Sequence, residues 1–334
     1  MIKRILALVL TFVILILIFK FIDIKIFLEA LSHPRWFDLI VAFLFFIPVV
    51  AITSYRWQIL VHKSCHCSFW ESTKLQLASN TLNLVLPSKL GDLSKGLFLR
   101  NTGKVELSRG MNIVIFEKLT DLSSLGIVYL TGFAMHYLFN SSALQPAGSV
   151  RVDIVQSADF VCLAFVLFVI TVTSLIYFVP LKFIPGYSAL IGWMEGKKFL
   201  SKIGYFLEDG QKLIGAIREN NRQITSILLQ SIVLWFLHMT QVYFFLRAVD
   251  VLPGLFTVYH WAPMAILIGL IPVTISGIGI RDGAFMFLFS DYGSKSVLFA
   301  ASVLITLRYI IPGLIGTLFL NQYLMRGPVT QNTK

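Results

Sequence analysis

Two stretches of an otherwise apolar chain join helix-breaking residues to charge. The first is Asn83-Leu-Val-Leu-Pro87-Ser-Lys89-Leu-Gly91-Asp92-Leu-Ser-Lys95-Gly96; the second runs from Gly269 through Pro272 and Gly277-Ile-Gly279-Ile-Arg281-Asp282-Gly283. A Pro ends one helix, and Gly lets the backbone come close to a ligand. Free N–H groups at the start of a half-helix attract anions, and the forked guanidinium of Arg281 suits a phosphate. In the first stretch Lys89, Lys95 and Arg100 follow the Pro, and Asp92 is three residues from either lysine and can hold one of them. The chemistry these residues suggest is the binding of an anionic headgroup, with Asn83, Gly277, Gly279 and Asp282 completing the set. The competing reading is a pair of solvated turns with interfacial charges. Gly277 to Gly283 is not the dinucleotide fingerprint, since Asp282 stands where the third Gly is needed.

Other charges fall inside apolar segments, where each is expensive and needs a reason. Arg308 lies near the centre of Ser296–Leu320; its partner is either Asp282 or a lipid phosphate. Glu117 and Asp121 are four apart and share a helix face with Lys118 close by, which fits a substrate or proton role or a local salt bridge. Asp92, Glu117 and Asp121 could orient cations or carry coupling protons. His238 and Gln241 could line a cavity. No nucleophile or H-E-x-x-H constellation appears among the six histidines. Cys65, Cys67, His62 and His66 are close together, but C-x-C is no closed zinc spacing; no metal and no cofactor are expected.

The elements that must hold these residues are membrane helices. The 334 residues are 57% hydrophobic and 13% charged, mean hydropathy is +0.80, and a soluble protein is about a quarter charged. The net charge of +11 is read as cytoplasmic loop Lys and Arg rather than a nucleic-acid surface. Six crossings are expected: Met1–Phe19 as an uncleaved signal anchor, Trp36–Thr53, Met111–His136, Phe160–Val179, Ile224–Phe245 and Ser296–Leu320. Phe69–Leu86 and His260–Phe289 are left over and are read as re-entrant hairpins; the alternative is that Pro87 and Pro272 kink ordinary spanning helices. With both termini cytoplasmic, hairpins place nineteen of the 28 basic residues inside and six outside. The halves, about 1–137 and 158–322, then have opposite orientation, an inverted repeat within one 1–334 transmembrane domain. Residues 181–223 form the one sizeable polar segment, with an amphipathic helix over Phe199–Ile217.

Arg56-Trp57, Asn83 through Leu86-Pro87 to Gly91-Asp92 and Lys95, Phe116-Glu117-Lys118-Leu-Thr-Asp121-Leu122, and Pro272 through Gly277-Ile-Gly279-Ile-Arg281-Asp282 occur in order over nearly the whole chain. Together they resemble the flippase-like family named for the lysylphosphatidylglycerol synthase membrane region, in which the last motif usually ends in Glu. The resemblance implies an all-α polytopic protein of the bacterial inner membrane that moves a lipid between leaflets. The chain stops at Lys334, so a stand-alone member without synthase activity is expected. The expected function is translocation of an anionic phospholipid or polyprenyl-phosphate-linked lipid. The alternatives are a membrane-embedded lipid-carrier transferase and a non-transporting accessory protein of a glycan or lipid pathway. The expected partner is membrane lipid, not nucleic acid, with a second copy or a glycosyltransferase as further candidates.

Overall fold

A computed structural model describes residues 20, 22–86, 90–139, 150–179, 189, 192–194, 200–271 and 279–324. Twelve α-helices of eight or more residues build it, and no strand occurs among the described residues. They are α1 (Ile24–Ser32), α2 (Trp36–Leu44), α3 (Phe46–Val61), α4 (Phe69–Val85), α5 (Ser94–Asn101), α6 (Leu107–Phe139), α7 (Val150–Phe178), α8 (Leu200–Arg218), α9 (Asn221–Ala248), α10 (Leu255–Gly269), α11 (Ile280–Leu288) and α12 (Lys295–Leu324). A 3₁₀ turn, Leu90–Leu93, precedes α5.

Among the described residues, four helical stretches are long and apolar enough to cross a membrane: Trp36–Val61, Asp153–Phe178, Asn221–Ala248 and Lys295–Leu324. The first is α2 and α3 joined at Phe45; Pro48 cannot donate to the carbonyl of Leu44, so the helix breaks there. Each stretch contains or overlaps one of the expected crossings. The expected crossing Met111–His136 lies in α6, whose 33 residues make it about 50 Å long. The signal anchor Met1–Phe19 lies outside the described residues. Helices α4, α5, α10 and α11 have 17, 8, 15 and 9 residues. At 1.5 Å per residue none reaches about 30 Å, so each falls short of a bilayer's hydrocarbon core.

The caps explain several ends. Ser68 accepts from Glu71 N at 3.2 Å while Glu71 accepts from Ser68 N at 2.9 Å, a capping box that starts α4. Asp23 accepts from Lys25 N at 2.9 Å and starts α1. Arg218 donates to the carbonyls of Tyr177 and, at 2.6 Å, Ile176. It thereby ties the end of α8 to the orphan carbonyls at the end of α7. Helix α8, expected over Phe199–Ile217, is clamped to the start of α6 by Arg109–Asp209 at 2.7 Å and by Asn112, which donates to Phe206 O at 3.0 Å.

The most extensive helix contacts are reciprocal between the halves: α4 packs on α12, and α10 packs on α6. Each rests on a glycine. A Cβ on Gly316 of α12 would overlap the backbone carbonyl of Leu77 in α4, and one on Gly132 of α6 would overlap the backbone of Tyr259 and His260 in α10. Small residues at such crossings let backbones close together. Two apolar cores result. One joins Phe116, Ile227 and Tyr323; the other joins Leu125, Met239 and Ile305. Along α6, α9 and α12, the residues between the two cores include Glu117 and Asp121, Ser231 and His238, and Arg308.

Candidate functional site

The polar layer between the cores is a charge network drawn from four elements. Arg56 of α3 is 1% exposed; it donates to Glu117 Oε1 at 3.1 Å, to both Asp121 oxygens, and to Ser231 Oγ at 2.7 Å. Lys95 of α5 is 0% exposed; it donates to Glu117 Oε2 at 2.6 Å and Gln76 Oε1 at 2.9 Å, with Nζ 4.7 Å from the ring centre of Trp57. Lys118 reaches Asp92 Oδ2 at 2.7 Å and Asp121 Oδ2 at 3.3 Å. Asp92 also accepts from Asn83 Nδ2 at 2.8 Å and from Ser79 Oγ at 3.3 Å, while Asn83 Oδ1 accepts from Asp92 N at 3.1 Å. Burying an ion costs several kcal/mol unless it is paired and hydrogen-bonded. Here, among the described residues, three cations meet three carboxylates, so their charges balance.

The same contacts fold the first Pro/Gly stretch back on itself. Ser79 and Asn83 on α4 hold Gly91 and Asp92, and Ser79 Oγ donates to Gly91 O at 3.0 Å. A Cβ on Gly91 would collide with the backbone of Leu82 and Asn83. In the second stretch Gly279 has φ of 94°, a left-handed backbone that favours glycine. Its N–H donates to Asp282 Oδ2 at 3.0 Å, which starts α11.

Between the halves is a cavity of about 370 Å³. Arg56, Asn83, Asp92, Glu117, Lys118 and Asp121 line one side; Trp235, His238, Gln241, Arg308 and Tyr309 line the other, and Val49, Leu122 and Ile266 supply apolar wall. Arg308 is 4% exposed, with its guanidinium 4.6 Å from the ring centre of Tyr309. It donates to the Tyr309 hydroxyl and to His238 O at 3.4 Å, while its Nε has no acceptor. Among the described residues no carboxylate lies within ion-pair distance of Arg308.

Five expected site residues, Asn83, Asp92, Glu117, Asp121 and Arg308, share this cavity. Lys95 is one layer behind it, held by Glu117. Arg281 and Asp282 border a small adjoining space with Arg308. Lys89 and Gly277 lie outside the described residues. Three expectations change. Asp282 does not serve Arg308, because Arg281 Nη2 holds it at 2.6 Å. The carboxylate on Lys95 is Glu117 rather than Asp92, which pairs with Lys118. Arg56 and Lys95, which the Lys and Arg count assigns to cytoplasmic loops, are buried in the network. The expected crossing Trp36–Thr53 stops short of Arg56, whereas α3 continues to Val61, so Arg56 is a site residue the sequence reading misses. An Arg inside a helix-forming apolar run was the available signal. Gln76, Asn80, Trp235 and Tyr309 carried none.

An all-helical fold with several apolar crossing helices and a buried charge layer defines a multi-pass membrane protein. Its likeness to known proteins is at the level of family. The family model described as the lysylphosphatidylglycerol synthase TM region matches residues 4–316, and the chain belongs to that family. No curated protein matches it.

Proposed function

We propose that the protein is a lipid translocator that takes an anionic phospholipid or polyprenyl-phosphate headgroup into the central cavity. The observation that carries this reading is Arg308, a buried guanidinium on the cavity wall without a carboxylate partner among the described residues. A phosphate oxygen would supply the missing counter-charge and an acceptor for Nε. The short helices α4–α5 and α10–α11 fit two re-entrant hairpins, and the reciprocal glycine contacts fit an inverted repeat, an arrangement that puts substrate sites near the bilayer midplane. About 370 Å³ is at the low end for a ligand pocket; it suits a headgroup while the acyl chains stay in lipid.

Family membership supports a membrane-lipid role. The neutral network counts against a transferase, since Asp92, Glu117 and Asp121 each accept from a cation and none is left as acid or base. The reading places the protein in the inner membrane with cytoplasmic termini. The test is leaflet exchange of a fluorescent anionic phospholipid in proteoliposomes, which the protein is expected to speed. Exchange no faster than in protein-free vesicles, for every anionic lipid tried, would sink the reading.

A further inference from the structure

A second polar cluster is buried at the far end of α6, away from the cavity. Asp159 of α7 and His260 of α10 are 5% and 0% exposed, with His260 Nε2 at 2.8 Å from Asp159 Oδ1. Tyr129 donates to Asp159 Oδ1 at 3.0 Å and Tyr137 to Oδ2 at 3.3 Å. Among the described residues, no Lys or Arg side chain forms an ion pair with Asp159. Among the described residues, the titratable groups facing the pair are Tyr129, Tyr137 and His136 from α6, with the His136 ring 5.3 Å from His260, and Cys162 from α7. His260 Nδ1 is buried and has no hydrogen-bond partner among the described residues.

We infer that Asp159 and His260 form a one-proton binding site that couples lipid movement to a proton gradient. With Nε2 donating to a carboxylate, Nδ1 is a bare lone pair. A proton taken from water onto Nδ1 turns a buried −1 pair into a neutral carboxylate–imidazolium pair, and returning it to water restores the first state. No such vacancy exists in the charge network, where every carboxylate already has a cation; the coupling role considered for Asp92, Glu117 and Asp121 moves here. The site is mechanically joined to the cavity. Tyr129 is twelve residues from Glu117 along α6, about 18 Å, and Ile266 on the cavity wall is six residues from His260 along α10, about 9 Å. Gly132 seats the His260 backbone directly on α6, so a changed charge at His260 bears on the contact between the halves. The proton site stands on this geometry; its part in transport rests on the translocation reading.

Trp261 reports the proton, because imidazolium quenches a neighbouring indole and its ring is 5.5 Å from His136 and 6.3 Å from His260. In the purified protein the Trp261 emission, taken by difference against Trp261→Phe, falls as pH is lowered. The fall is lost in His260→Gln and kept in His136→Gln. No fall, or a fall that persists in His260→Gln, overturns the site. In proteoliposomes a one-unit pH gradient biases leaflet exchange by up to about tenfold, and Asp159→Asn abolishes the bias. Exchange that ignores the gradient in the wild type overturns the coupling. Quenching with no exchange of any lipid keeps the site and sinks the translocation reading instead.

Discussion

Arg281 Nη2 donates to Asp282 Oδ1 at 2.6 Å, so the carboxylate offered to Arg308 by the sequence is already taken. Arg281 also reaches Thr306 Oγ1 at 2.6 Å and stands 5.5 Å from the ring centre of Tyr309, which also neighbours Arg308. One arginine has a carboxylate and the other has none among the described residues, and the proposed headgroup site rests on that difference.

Arg308→Gln should weaken headgroup binding with little effect on folding, because it removes a buried charge that has no carboxylate partner among the described residues. Losing a hydrogen bond to a charged group costs about 1.5–3 kcal/mol, or about 10- to 150-fold in affinity. Binding of a short-chain anionic phospholipid to the detergent-solubilised protein measures this. Arg281→Gln should do the reverse, harming stability first by leaving Asp282 without its cation.

Lys95→Met should be strongly destabilising, by about 3–5 kcal/mol, since Glu117 then loses a buried cation at 2.6 Å. Adding Glu117→Gln should recover part of the loss. A double-mutant cycle on thermal unfolding in detergent tests it, and strict additivity would show that the pair is not coupled.

Gly132→Ala and Gly316→Ala should each lower the melting temperature, because a Cβ overlaps backbone at both positions and backbone yields less readily than a side-chain end. Gly215→Ala, in α8, has open space around its Cβ and should stabilise by up to about 1 kcal/mol through helix propensity. The contrast between the three melting curves checks the reciprocal packing.

Burial pushes the Cys65 thiol up to about 11, and Cys67 is raised by the same cause. The thiolate is the reactive form, so alkylation of Cys65 at pH 7 should be slow. The rate should climb about tenfold per pH unit and level off only near the raised value. Mass-spectrometric labelling rates across pH test this, and a plateau near pH 8.5 would contradict it.

Composition and unbroken apolar runs were enough to fix an all-helical membrane protein and the positions of its long helices, because lipid admits few ways to satisfy a backbone. The Pro/Gly stretches marked where helices break, and the charges within apolar runs marked most of the polar layer. Pairing was another matter. Asp92 and Lys95 are neighbours in sequence, yet their partners Lys118 and Glu117 are contributed by α6. Arg308 and Asp282 looked complementary, yet Asp282 is held by Arg281. Asp159 and His260, 101 residues apart, gave no local sign of meeting. Local sequence sets propensity and burial, but a salt bridge is chosen by which helices touch. Here that choice was made by glycine crossings between the two halves of the chain, and only the folded molecule shows it.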